Sequence, residues 1–137
     1  MPVAARPATL RASVRPTELQ LSDTGTGATA VLPLPTGDFH MSIAPYASGT
    51  HDCFYHSLTT CQGELGNQDV HVTITDKADG AVLVDETRQT FDNGYVDYWL
   101  PAGSTVVVRL ELGGKSATAE LSTGAQAATC ITTMKLS

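Results

Sequence analysis

The window Thr50-His51-Asp52-Cys53-Phe54-Tyr55-His56-Ser57-Leu58-Thr59-Thr60-Cys61-Gln62-Gly63-Glu64 holds two of the chain's three cysteines, two of its four histidines and two carboxylates. No other stretch gathers as many groups able to bind a metal or exchange electrons. Thiolate and imidazole suit soft and borderline ions, above all Cu(I) and Zn(II), whereas hard oxygen-binding ions want several clustered carboxylates. The ligand set points to copper or zinc.

Spacing restricts how such a site could form. Cys53 and Cys61 would stand about 26 Å apart on an extended strand and about 12 Å apart on a helix, so they share a metal only if the segment bends. Cys53 and His56 are three residues apart, which places them on one side of a single helical or 3₁₀ turn and makes a two-ligand grip. Cys61 then returns from a loop and Cys130 arrives from the far end of the chain. Three thiolates, with or without His56 or His51, fit trigonal Cu(I) or tetrahedral zinc.

The same cysteines support a reading without metal. A Cys53–Cys61 disulfide would close a nine-residue loop and stabilise a small secreted domain by about 2.5 kcal/mol, leaving Cys130 as a buried small hydrophobe. The odd count matters here: in an oxidising compartment one disulfide leaves one thiol, and that thiol needs a reason such as metal binding or redox chemistry.

The elements that must position these groups read as strands. From Asp69 onward apolar and polar residues alternate with a period of two: Val70, Val72 and Ile74, then Val106, Val108, Leu110 and Leu112. Asp79-Gly80, Asn93-Gly94 and Gly113-Gly114 supply the positive φ angles of hairpin turns, so the second half is expected to be an antiparallel meander. In the last run Ala128, Cys130, Thr132, Met134 and Leu136 fall on one strand face, which puts Cys130 with Met134. Leu19 to Leu21, Ala28 to Leu34 and Phe39 to Ile43 are shorter strands, and the adjacent Pro33, Pro35 and Pro45 place them at edges or bends. The expected fold is all-β, an antiparallel sandwich or partly open barrel with a short Cys/His-bearing turn or helical segment. Residues 1–16, with Pro2, Pro7 and Pro16, are expected to be a loosely held arm, and residues 17–137 a single domain carrying the site. His40 and His71 are expected at the surface, Met41 and Met134 in the core. Tyr95, Tyr98 and Trp99 are expected in core or inter-sheet packing, with a sugar-facing strand as the alternative.

Composition excludes several classes. The net charge is −6, and the eight Lys and Arg residues are scattered, which disfavours nucleic acid or an anionic membrane as partner. No run approaches the roughly 20 apolar residues of a transmembrane helix, and Met1 to Thr9 lack the pattern of a signal peptide. Asp52 and Glu64 do not make an acid–base pair, and no Ser-His-Asp logic emerges, so a hydrolase is not expected.

One resemblance extends this reading. Ser42-Ile43-Ala44-Pro45-Tyr46, the His51 to Glu64 block, Phe91-Asp92-Asn93-Gly94, Trp99-Leu100-Pro101, Thr129-Cys130 and Thr132-Thr133-Met134 together resemble the CueP family of bacterial copper-resistance proteins, from about Ser13 to Ser137. The resemblance implies a periplasmic or cell-surface protein that sequesters copper during copper stress, with a lipid anchor on the full-length form as an open alternative. It implies that Cys53, Cys61 and Cys130 carry the metal chemistry, with His51 and His56 as auxiliary ligands. A cysteine-dependent reduction of Cu(II) to Cu(I) follows as an expected activity, with a disulfide as its oxidised half. A passive copper or zinc carrier is the alternative, and a copper-accepting protein is the expected partner.

Overall fold

The computed structural model describes residues 10–23, 25–48, 54–57 and 62–137. Alternation builds its centre. Strand β6 (Asp69–Asp76) turns Val70, Val72 and Ile74 inward, and β9 (Thr105–Leu112) does the same with Val106, Val108 and Leu110. With β7 (Val82–Gln89) and β10 (Lys115–Ser122) they form one antiparallel sheet in the order β10-β9-β6-β7. Opposite lies a smaller sheet, β11-β4-β8, made from Cys130–Ile131, Asp38–Ile43 and Val96–Pro101. It contributes Phe39, Met41, Ile43, Val96, Tyr98 and Leu100 to the same core. Each such side chain taken from water stabilises the fold by about 1.5–3 kcal/mol before entropy is counted. The architecture is the expected sandwich, and no helix occurs among the described residues.

A third sheet, in the order β3-β2-β1-β5, is built from Thr29–Pro33, Glu18–Asp23, Leu10–Val14 and His56–Ser57. Strand β1 comes from the stretch expected to be a loose arm. Arg11-Ala12-Ser13-Val14 alternate polar and apolar, and Ala12 and Val14 are buried, so the prolines around them bound a strand. Within the Cys/His segment, expected to form a short turn or helical piece, Phe54 and Tyr55 bend the chain and His56–Ser57 form β5, with His56 paired to Val14; no helical turn occurs among its described residues.

Two further expectations change. Asp79-Gly80 and Gly113-Gly114 close true hairpins, β6–β7 and β9–β10, but Asn93-Gly94 passes the chain from one sheet to the other. The chain from Gly63 to Gln68 lies in the way: Gly63 N–H donates to Asn93 O at 2.6 Å, and Asn67 N–H donates to Phe91 O at 3.3 Å. Strand β11 also pairs parallel to β4, with Cys130 beside Ser42 and Ile131 beside Ile43. Because β11 is two residues long, alternation stops there. Ile131 and Met134 enter the main core while Cys130 joins a separate cluster with Ala44 and Tyr95, so Cys130 and Met134 do not share a face.

Gly94 has φ +82°, and a Cβ there would stand 2.8 Å from the Gly63 carbonyl carbon; Gly80 has φ +71° with open space around it. Gly80→Ala should therefore cost about 1–2 kcal/mol from the left-handed backbone alone, and Gly94→Ala about 3 kcal/mol or more, because overpacking adds to it. Urea unfolding of the two variants compares them, and equal costs would contradict the close approach.

Candidate metal centre

The small sheet has a second face, turned away from the main core. Paired residues on neighbouring strands point the same way, so the pairings Cys130 with Ser42 and Ser42 with Asp97 set a thiol, a hydroxyl and a carboxylate in one row across three strands. His40 lies two residues from Ser42 on this face, and Tyr95 and Trp99 lie on either side of Asp97.

His56 is held against this face by backbone bonds. Its N–H donates to Thr129 Oγ1 at 2.9 Å, and the Thr129 hydroxyl donates to Val14 O. Thr129 N–H and Cys130 N–H both donate to Phe54 O, at 2.9 and 3.0 Å. The His56 ring packs 4.6 Å from the Tyr95 ring, and Tyr95 Oη stands 3.2 Å from Cys130 Sγ. Cys130, Tyr95 and His56 thus form a continuous buried path. His56 Nδ1 has no hydrogen-bond partner among the described residues. A buried nitrogen in that condition is rare, and an imidazole lone pair is a metal ligand.

His40 departs from expectation. Its side chain is only 13% exposed, with Nε2 3.9 Å from Asp97 Oδ2 and its ring edge-on to Trp99 at 4.9 Å. Burial pushes the imidazole below its ordinary pKa, the Asp97 carboxylate pulls it up, and nearby His56 pushes it down again. Desolvation is the largest of the three and favours the neutral ring. Trp99, expected in packing, is 53% exposed. His71 behaves as a surface residue, bonded to Asp85 at 2.8 Å and Thr87 at 3.0 Å. Met41, Met134, Tyr95 and Tyr98 are buried as expected.

Of the five sequence-predicted site residues, the structure places Cys130 and His56 together; His51, Cys53 and Cys61 lie outside the described residues. Their described flanks converge on the same place. Phe54, bonded to Cys53, docks on Cys130. Gly63, two residues after Cys61, approaches Ala44 so closely that an added Cβ would stand 2.9 Å from the Ala44 Cβ, and Ala44 belongs to the Cys130 cluster. The Glu64 carboxylate ties this flank to the other side of the segment, accepting from Ala47 N–H and Ser48 N–H at 3.2 Å and from Ser48 Oγ at 2.8 Å. Among the described residues no three His, Cys, Asp or Glu side chains come close enough to hold a metal.

A family model described as "Periplasmic copper-binding protein CueP" matches residues 1–135. The chain belongs to the CueP family. The crystal structure of S.CueP superposes with a TM-score of 0.87 at 37% sequence identity, over 96% of this chain and 81% of that one. Among curated proteins nothing matches. Membership of the CueP family makes this a periplasmic copper-binding protein by family. No helix of the described residues is long and apolar enough to cross a membrane. Asp97, which completes the face, belongs to none of the blocks that carry the resemblance, and its pairing with Ser42 brings it there; Ser42 and Thr129 stand within those blocks, but only the fold shows what they touch.

Thr129→Val keeps the shape and removes both hydroxyl bonds. Leaving His56 N–H and Val14 O unpaired should cost about 2–3 kcal/mol, read from urea unfolding, and should release His56, read as faster exchange of its amide hydrogen. Wild-type protection of that amide would contradict the anchoring role.

Proposed function

We propose that the chain binds copper as Cu(I) through the thiolates of Cys53, Cys61 and Cys130, with His56 and His51 supplying imidazole nitrogen, and that a cysteine pair reduces Cu(II) to Cu(I). One observation carries this reading: Cys130 N–H is bonded to the carbonyl of Phe54, the residue covalently joined to Cys53. Phe54 thus meets Cys130 although 76 positions separate them in sequence, and a contact one residue from Cys53 supports a site shared by the two cysteines. The unpaired Nδ1 of His56 beside that contact is suited to the same ion.

The chemistry balances within the site. Two thiolates give up one electron each and join as a disulfide, and each of two Cu(II) ions takes one electron to become Cu(I). Protons leave the thiols for solvent before the sulfurs react, because the thiolate is the reactive form. The third thiolate and an imidazole remain for Cu(I), a soft ion that sulfur holds well. His56, packed on Tyr95, keeps its nitrogen fixed, and the Tyr95 hydroxyl bonded to Cys130 Sγ orients that sulfur. Zinc would use the same ligands without electron transfer. A periplasmic acceptor protein would take the Cu(I) onward.

Anaerobic mixing of the fully reduced protein with two equivalents of Cu(II) should yield two Cu(I), read with a Cu(I)-specific chelator, and consume two thiols. Cys53→Ser and Cys130→Ser should each lower the yield about ten-fold or more. Undiminished reduction in both variants would overturn the redox reading, and binding without reduction in the parent would make the chain a passive carrier.

A further inference from the structure

Buried polar atoms without partners are uncommon in a folded protein, yet the face that carries Cys130 holds several. Besides His56 Nδ1, the atoms left without a hydrogen-bond partner among the described residues are His40 Nδ1, Ser42 Oγ and Asp97 Oδ1. Ser42 is fully buried. These three atoms are neither scattered nor part of the thiol cluster. Ser42 and Asp97 are direct cross-strand partners, and His40 Nε2 stands 3.9 Å from the other oxygen of Asp97.

We propose that His40 and Asp97, with the Ser42 hydroxyl beside them, form a docking site for Cu(II), separate from the sulfur ligands and leading to them. The donors are one imidazole nitrogen, one carboxylate oxygen and one hydroxyl. A nitrogen and oxygen set of this kind suits Cu(II), whereas Cu(I) prefers sulfur. The imidazole nitrogen and the carboxylate and hydroxyl oxygens all offer lone pairs to one small space, an arrangement for a cation.

Exposure gives the site a direction. Asp97 has 26% of its side chain exposed and Trp99 beside it is more open still, while Ser42 and Cys130 are sealed. The row Asp97, Ser42, Cys130 therefore runs from solvent to the buried thiol in two steps of about 4.8 Å, the spacing of neighbouring strands. An ion arriving as Cu(II) meets nitrogen and oxygen first and sulfur second. Two charged or imidazole ligands and a hydroxyl, completed by water, make a weak and exchangeable site, which is what a point of arrival requires.

The inference rests on copper being the cargo, and its test is chosen to be independent of thiol chemistry. In the Cys53→Ser/Cys61→Ser/Cys130→Ser protein no thiol remains to reduce or bind the ion. Trp99 is the chain's only tryptophan, and its ring is in edge contact with His40, so paramagnetic Cu(II) docked there quenches its fluorescence. Titrating this protein with Cu(II) near neutral pH should quench Trp99 saturably, with nitrogen coupling in the electron paramagnetic resonance spectrum. His40→Gln and Asp97→Asn should each weaken the binding by about ten-fold or more. His71→Gln, which removes the other histidine–aspartate pair, should leave it unchanged. Asp97→Asn is isosteric, so it keeps the test valid if His40→Gln disturbs folding; circular dichroism checks both. Titration curves for His40→Gln and Asp97→Asn that coincide with the thiol-free parent would overturn the proposal and leave water as the partner of these atoms. Failure here would leave the thiolate reading intact, and failure of thiol-dependent reduction would leave this site intact.

Discussion

The hydroxyl of Thr129 is bonded on both sides, to the carbonyl of Val14 and to the amide of His56, and the amides of Thr129 and Cys130 share the carbonyl of Phe54. Four bonds at one point join three distant parts of the chain. Broken, they would leave buried backbone groups without partners, at about 1–3 kcal/mol each. Intact, they fix the third sheet to the sandwich and bring the residue next to Cys53 against Cys130. The neighbourhood of Cys130, His56 and Tyr95 is therefore assembled by a backbone junction, and these side chains inherit their positions from it.

That junction also covers one end of the polar face of the β11-β4-β8 sheet, where Ser42, Tyr95 and Cys130 are buried, while Asp97 and Trp99 at the other end reach solvent. The opposite face carries the ordinary apolar load of Phe39, Met41, Ile43, Val96, Tyr98 and Leu100, which is enough to hold the sandwich together. The second face is thus free to carry the bonded pair Tyr95 and Cys130 together with His40, Ser42 and Asp97, each of which has a buried polar atom without a hydrogen-bond partner among the described residues, at a cost in stability. Natural folds retain such costs mainly where chemistry needs them. The shift of His40 toward its neutral form through desolvation is one result, and a neutral imidazole is the form that binds metal.

Much of this was legible in the sequence, and the rest was hidden for identifiable reasons. Val70-Val72-Ile74 and Val106-Val108-Leu110 announced the main sheet because each strand has one wet face and one dry face. The Cys53 to Cys61 window announced its ligand types, and its likeness to a copper-binding family was carried by side chains that need no fold to be recognised. His40 was not legible: Asp38, His40 and Ser42 alternate with core residues as any solvent face would, and the His56 that lies near it is 16 positions away. The strand status of Leu10–Val14 was masked by flanking prolines. Asn93-Gly94 has the chemistry of a hairpin turn, but Gly63 and Gly66 packed against that turn decide that its strands part. Cys130 was placed with Met134 by a period that holds only while a strand continues. In each case the missing information was which distant segment covers which face.

In the proposed site Cys130 and the Cys53 segment share one copper ion. X-ray absorption of the Cu(I)-loaded protein counts the sulfur atoms around the metal directly. The account predicts a shell dominated by sulfur that loses one sulfur in Cys130→Ser while nitrogen from imidazole remains. A shell of nitrogen and oxygen only, or a sulfur count unchanged by Cys130→Ser, would contradict it.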